Sequence, residues 1–494
     1  MPSRSSNNKE RHIPIQTKTA IKLYDSATRS VREFDARVSG ELGTYNCGPT
    51  VYDYQHIGNL YSYLSADVVR RTFEYFGYRV KHVMNITDAG HLVGDADVGG
   101  EDKMAVGARR EHVDPLVIAE RYTKQFFIDR AKLNILEPHI IPKATEHIPE
   151  MIALIERLIA KGHAYVASDG VYFDTSTFPG YGTRLNPEPP DERKAGARVE
   201  VNPNKRNTFD FALWRKAKRD DLQQWDSPWG PGNPGWHIEC SAMSMKYLGE
   251  TFDMHSGGED HLFPHHECEI AQSEAATDKP FANYWMHTRF LKFDSAKMAK
   301  SAGGFLRLAD IEDRGIDPLA FRLLALGTSY RKGVDFTWES LESSARRLEK
   351  WRGVIAEAWQ SAGMQATAPR EDDPIRLAFG EAIADDFNMA AALAQAEAAI
   401  GHAATGDAET KRRALGLLFD MDRVLGLSLR ERAESAADLP AEARALLAER
   451  EKARANKDFK KSDELRDELW RRFRIRVKDT KDGQRWERDD REGA

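Results

Sequence analysis

The sequence predicts an α/β protein in which a parallel-sheet domain carrying an insertion precedes a run of helices and a small C-terminal module. Three observations carry this reading. Residues 42–87 read as strand, loop, helix, strand; residues 317–429 keep helical periodicity almost without a break; and residues 441–494, beyond a polar stretch at 434–440, hold a slight excess of Lys and Arg over Asp and Glu. A chain of 494 residues accommodates about three domains at roughly 150 residues each.

The elements follow in order. Residues 42–51 form a strand that runs into the turn Cys47-Gly48-Pro49-Thr50. Leu60, Leu64, Val68, Val69, Phe73 and Phe76 recur at helical spacing through 59–78, and 79–87 returns as a strand. A strand–helix–strand unit of this kind belongs to a parallel sheet that binds ligands beyond its strand C-termini. Residues 90–111 are Gly- and Asp-rich and aperiodic, which suits a functional or mobile loop. Helices are expected near 114–133 and 147–161, then a hairpin over 164–174 turning at Asp169-Gly170. Residues 181–206 are polar and Pro-rich, a loop. Together 111–218 read as the insertion. The sheet resumes through 229–236 into a helix bearing Cys240, with strands at 252–255 and 284–293. The catalytic domain is therefore expected over 21–335, helices over 336–432, and a C-terminal module over 441–494 built from one helix, 441–472, and a strand-like tail.

Composition removes several function classes. No apolar run approaches the ~18 residues of a membrane span. Residues 1–20 are polar and lack the apolar core of a signal peptide, so they read as a flexible leader on a cytoplasmic chain. Three cysteines, Cys47, Cys240 and Cys268, exclude a disulfide framework. The net charge of -6 gives no overall attraction to nucleic acid, so an RNA-binding role must rest on local basic patches.

Two short motifs suit a nucleotide. His56-Ile57-Gly58-Asn59 stands between the first strand and its helix, where free N–H groups and the positive dipole end favour phosphate. Lys297-Met298-Ala299-Lys300-Ser301, followed by Gly303 and Gly304, is a cationic loop (295–304) able to close on a triphosphate. His265 and Glu269 fall on one helical face beyond Pro264. With Cys47 and Cys240 they would offer two S, one N and one O, a donor set for zinc. From spacing alone, a pair of core cysteines and a surface His–Glu pair is the favoured reading.

The two nucleotide motifs, in this order, resemble the HIGH and KMSKS signatures of class I aminoacyl-tRNA synthetases. The strings YNCGPTVYDYQHIGN and FPHHECEIAQS, beginning at Tyr45 and Phe263, resemble the cysteinyl-tRNA synthetase family, and the likeness runs from about 20 to 490. The resemblance implies a Rossmann-like catalytic domain, one zinc per chain on Cys47, Cys240, His265 and Glu269, and ATP with Mg²⁺ as substrate. L-cysteine and tRNA(Cys) are the implied partners of a monomeric, membrane-free enzyme. It assigns His56, Gly58, Asn59 and Lys300 to ATP, with His56, Asn59, Lys297 and Lys300 acting in catalysis. Thr87, Trp236, His255 and Asp260 go to the cysteine pocket.

The family also implies that the substrate thiolate joins the zinc, so that sulfur is selected over oxygen without editing. Residues 450–486 resemble its anticodon-binding end, where Phe459, Trp470 and Trp486 are candidates to stack on bases. Three positions depart from the pattern: Ala299 for Ser, Gly304 for Asn, and Cys268 for Asn, the last a possible competing thiolate. Two alternatives keep parts of this reading. A cysteine ligase acting on an amino-sugar lacks the terminal module, and a non-catalytic zinc-containing RNA-binding paralogue does not need His56, Lys297 and Lys300.

Overall fold

The structure is a computed structural model that describes residues 19–90, 113–186, 202–218, 221–293, 306–437, 440–480 and 483–488. The leader up to residue 18, most of the 90–111 loop, much of the 181–206 loop and the lysine-motif loop lie outside the described residues.

The chain divides into two compact units, the first comprising Met1–Leu308, Thr328–Phe336 and Ala384–Phe387. In it, β1 (Lys22–Asp25) and β2 (Ser30–Glu33) form an antiparallel hairpin. Next come β3 (Glu41–Asn46), α1 (Ile57–Tyr75) and β4 (Arg79–Met84). Leu60, Leu64, Val68, Val69 and Phe73 of α1 are buried, as their spacing predicted. After α2 (Pro115–Lys132) and α3 (Ile148–Ala160) come β5 (Ala164–Val166), β6 (Gly170–Phe173), β7 (Phe211–Lys216) and β8 (Gly232–Pro234). These four strands make an antiparallel sheet in chain order. The inserted sheet therefore ends at Pro234, beyond the expected 218, because β8 pairs with β7 and hands the chain straight to α4 (Trp236–Leu248). Then follow β9 (Phe252–Gly258), α5 (Glu267–Thr277) and β10 (Ala282–Thr288).

The central sheet has the order β10-β9-β3-β4 and is parallel throughout. From β3 the chain moves outward to β4 on one side, and later to β9 and β10 on the other. The crevice beyond the C-termini of β3 and β9 is thus the topological switch point, where ligands bind in such sheets. A short parallel pair, β11 (Lys292–Phe293) with β12 (Asp335–Phe336), completes the unit.

The second unit comprises Ala309–Gly327, Thr337–Ile383 and Asn388–Ala494. Residues 309–327 group with the helices, while 328–336 and 384–387 belong to the first unit. The reason is packing: α6 (Pro318–Leu326) buries Leu319, Phe321 and Leu323 within this unit. Helices α7 (Trp338–Ser361), α8 (Pro374–Ala384), α9 (Met389–Thr405), α10 (Ala408–Leu425) and α11 (Leu429–Ala437) follow. α11 runs into the stretch read as a linker from 434.

The C-terminal module holds α12 (Ala441–Ala455), α13 (Phe459–Phe473) and an antiparallel hairpin of β13 (Ile475–Thr480) and β14 (Gly483–Arg488). The single helix expected over 441–472 is two, because Lys457 turns left-handed at φ 60°. Asp458 then caps α13 by accepting from the Lys461 N–H. Ala443, Leu447, Leu469, Ile475 and Val477 form a separate small core. Arg450 is fully buried and binds both carboxylate oxygens of Asp479 at 2.9 Å. Among the candidate stacking aromatics, Trp486 packs on this core and Trp470 is half-buried beneath the Arg474 and Arg476 guanidinium groups. Phe459 is exposed.

Candidate active site at the switch point

Cys47 follows the last residue of β3, and its N–H donates to the Ser256 carbonyl of β9 at 3.2 Å. The switch point thus fixes its position. Cys240 lies one turn into α4, and Gly235 starts that helix where a Cβ would meet the Ala212 carbonyl oxygen at 1.9 Å. His265 and Glu269 come from the turn before α5 and from its first turn. Four side chains from three parts of the chain converge, and all are buried.

Their ligand atoms lie within 4.8 Å of one another. Cys47 Sγ is 3.9 Å from Cys240 Sγ and 3.6 Å from Glu269 Oε1. His265 Nε2 is 3.7 Å from Cys240 Sγ and 3.0 Å from Glu269 Oε1. A tetrahedral ion with sulfur at about 2.3 Å and nitrogen or oxygen at about 2.0 Å has S–S edges of about 3.8 Å and N–O edges of about 3.3 Å. Four of the six edges are therefore near tetrahedral lengths, and all six lie within 4.8 Å.

The electrostatics suit a cation. Burial works against the Glu269 charge, but His255 and His265 outweigh it and hold the carboxyl down at about 2. Burial also opposes the His265 charge, yet Glu269 and Cys240 raise it to about 10. Behind the donors stands a wall of histidines that spacing did not reveal. His237 Nδ1 meets His265 Nδ1 at 2.8 Å, and His255 Nε2 meets Glu269 Oε2 at 2.9 Å. His266 lies with Nε2 3.3 Å from Cys47 Sγ and Nδ1 2.8 Å from His287 Nε2, whose other nitrogen meets Ser26 Oγ at 2.8 Å. Such outer partners orient metal ligands and fix their tautomers. Their sequence trace was the His265-His266 pair, of which only the first was used.

Cys47, His255, His266 and Glu269 form a second set of close donors that shares two members with the first. The first set uses both thiols and matches the preference of zinc for sulfur. Cys268 belongs to neither set. It is fully buried, with Sγ 3.3 Å from the Tyr181 hydroxyl, so it does not act as the competing thiolate. Along a helix it stands one residue, about 100°, from Glu269, and that turns it away from the donors.

Gly48 shows how tightly the first ligand is held. A Cβ there would sit 1.6 Å from the Asn85 carbonyl oxygen, while its N–H donates to Asn85 Oδ1 at 2.8 Å. Gly48→Ala should push Cys47 off the switch point, with overpacking costing about 1–3 kcal/mol. The expected result is a lowered Tm together with sub-stoichiometric metal; a variant with full metal content and unchanged Tm would contradict it.

Comparison with known proteins follows the same geography. Residues 33–346 match the family model described as tRNA synthetases class I (C) catalytic domain, and 436–486 match the cysteinyl-tRNA ligase anticodon binding domain. Cysteine–tRNA ligase 1 of Burkholderia lata is 46% identical over 474 residues, covering 94% of this chain and 96% of its own. A cysteine–tRNA ligase of Thermus thermophilus is 43% identical over 481 residues, covering 94% and 98%. The chain belongs to the cysteinyl-tRNA synthetase family. A Mycobacterium tuberculosis methionyl-tRNA synthetase in complex with methionyl-adenylate shares the fold, with a TM-score of 0.51 at 14% identity over 80% of this chain and 91% of that one.

As a cysteinyl-tRNA synthetase family member, the chain arranges its remaining site residues as follows. His56 caps α1, its Nδ1 accepting from the Asn59 N–H at 3.1 Å. Burial lowers its pKa, only partly opposed by Asp260. A neutral ring whose Nδ1 accepts carries its proton on Nε2, which makes that nitrogen a donor. Gly58 leaves the ring its place, since a Cβ there would approach His56 Nδ1 to 2.9 Å and one of the two would have to shift. Trp236 is half-buried with its ring centroid 4.5 Å from that of His265. Thr87 is buried and donates to Glu239 Oε2 at 3.1 Å while accepting from Asn85 Nδ2 at 3.0 Å.

His255, assigned to the cysteine pocket by resemblance, is fully buried against Trp285 with Nε2 on Glu269. It stands behind Glu269, one of the four candidate donors. Asp260 is exposed, in the short turn Glu259–His261. Lys297 and Lys300, with the departures Ala299 and Gly304, lie outside the described residues.

Proposed function

We propose that this chain is a cysteine–tRNA ligase that activates L-cysteine with Mg-ATP and transfers it to the terminal adenosine of tRNA(Cys). The observation that carries the reading is the convergence of Cys47, Cys240, His265 and Glu269, with ligand atoms within 4.8 Å of one another, on the switch point of a class I synthetase fold. Zinc bound there supplies a soft Lewis acid that takes a thiolate far more readily than a hydroxyl. The chain's own residues do the rest. Trp236 closes the pocket beside His265, and Thr87 and Asp260 orient the amino acid, Asp260 pairing with its ammonium. The α1 N-terminus, His56 Nε2–H and Asn59 receive the phosphates, with Gly58 leaving room for the nucleotide. Lys297 and Lys300 close on the triphosphate and stabilise charge as the cysteine carboxylate attacks the α-phosphate and pyrophosphate leaves. A ribose hydroxyl of the tRNA, the 2′-OH by analogy with class I relatives, then attacks the adenylate carbonyl and AMP departs.

The anticodon-binding match over 436–486 favours a tRNA acceptor over an amino-sugar. The enzyme is read as a cytoplasmic monomer, and no helix among the described residues is long and apolar enough to cross a membrane. The decisive experiment is cysteine-dependent ATP–pyrophosphate exchange without tRNA, run beside serine, with zinc removed and restored. The expected result is exchange with cysteine alone, lost on chelation and regained with zinc. No exchange from folded, zinc-loaded protein would overturn the activation step and leave the non-catalytic RNA-binding reading.

A further inference from the structure

Tyr54 lies in the loop that leads from Cys47 to α1, two residues before His56, which caps that helix. Two residues span at most about 7 Å of chain, so Tyr54 stands beside the groups that receive the phosphates. Its ring is 44% exposed. The buried Tyr122 of α2 meets it at 85°, with centroids 5.0 Å apart, and holds its plane. The Arg307 guanidinium lies over the same ring, 5.1 Å from its centroid, within cation–π range. Arg307 is itself exposed, and its backbone is tied to the helix cap. It bridges to His56, and the Ile57 N–H donates to the Leu306 carbonyl at 2.9 Å. The reaction steps above give neither side chain any part.

An aromatic ring beside a guanidinium is a surface that stacks an unpaired base and counters its phosphate. The net charge of -6 gives RNA no general attraction to this chain, so contact with it depends on local cations such as Arg307. Two adenines enter the reaction, that of ATP and that of the tRNA's last nucleotide. The adenylate forms in a site closed to water, whereas the tRNA end arrives from solvent once it has formed. A ring open to solvent suits the second. We propose that Tyr54 and Arg307 seat the terminal adenosine of tRNA(Cys), the base stacking on the exposed surface of the pair while the guanidinium answers its phosphate. The pair thereby positions the ribose hydroxyl that attacks the adenylate. The proposal rests on the ligase reading above and names residues for its second step.

The test compares Tyr54→Ala, Arg307→Gln and Tyr54→Phe in the full chain. Tyr54→Ala should raise the KM for tRNA(Cys) in aminoacylation about tenfold, as the loss of one base–aromatic stack does. Arg307→Gln should raise it as well, and Tyr54→Phe, which keeps the ring, should behave as the wild type. The KM for ATP in tRNA-free pyrophosphate exchange should not move. Binding of tRNA(Cys) that lacks its terminal adenosine separates a stack from altered packing. Removing that nucleotide should weaken binding to the wild type about tenfold and leave binding to Tyr54→Ala unchanged. A raised KM for ATP would overturn the proposal and give the pair to the base of ATP. Equal sensitivity of wild type and Tyr54→Ala to the missing nucleotide would overturn it too. Should Tyr54→Ala not fold, the surface variant Arg307→Gln carries the same comparison. Wild-type protein that performs exchange but charges no tRNA(Cys) would instead overturn the acceptor reading on which the proposal rests.

Discussion

Cys240→Ser will strip the chain of zinc and reduce cysteine-dependent ATP–pyrophosphate exchange to background, while the fold persists. The substitution changes one atom in a buried position, so packing is nearly conserved. What changes is chemistry: a hydroxyl is a harder and far less acidic ligand than a thiol, and a neutral serine cannot replace a thiolate 3.9 Å from Cys47 Sγ. Metal analysis and circular dichroism on the same sample separate the two effects. The companion variant His266→Asn decides between the two overlapping donor sets. It should keep its zinc, because His266 stands behind Cys47 and leans on His287. A Cys240→Ser protein with full zinc, next to an empty His266→Asn protein, would move the metal to the set containing His255 and His266.

Lys300→Ala gives the opposite pattern. Zinc content should stay at one per chain, whereas exchange should fall by about 10²–10³-fold, the usual loss when a preorganised charge is withdrawn from a developing anion. The two variants thus separate the machinery that recognises sulfur from the machinery that acts on phosphate. Near-normal exchange by the Lys300 variant would remove that lysine from the phosphate chemistry. It would leave His56 Nε2–H and the α1 N-terminus as the groups that bear the charge.

Much of this was readable along the chain. The strand–helix–strand unit at 42–87 was legible because buried residues switch from helical spacing in 59–78 to alternation in 79–87. Asp169-Gly170 marked its hairpin for a local reason, since a tight turn needs residues that tolerate unusual backbone angles. The break at 456–458 was missed although its signal was present, because a capping Asp after a left-handed Lys is hard to see inside an otherwise helical pattern. β8 was missed because Gly232, Asn233 and Pro234 carry no strand propensity. Only pairing with β7 makes them a strand.

By itself, the sequence determined the α/β class, the helical second half, and the four candidate metal donors once the family resemblance was admitted. Tertiary structure decided that the donors meet, that Cys268 turns away, and that His255 stands behind Glu269. The physical reason is range. Periodicity, caps and turns are set by neighbours a few residues apart. A site assembled from positions 47, 240, 265 and 269 depends on the sheet order β10-β9-β3-β4, and no local pattern encodes which strands become neighbours.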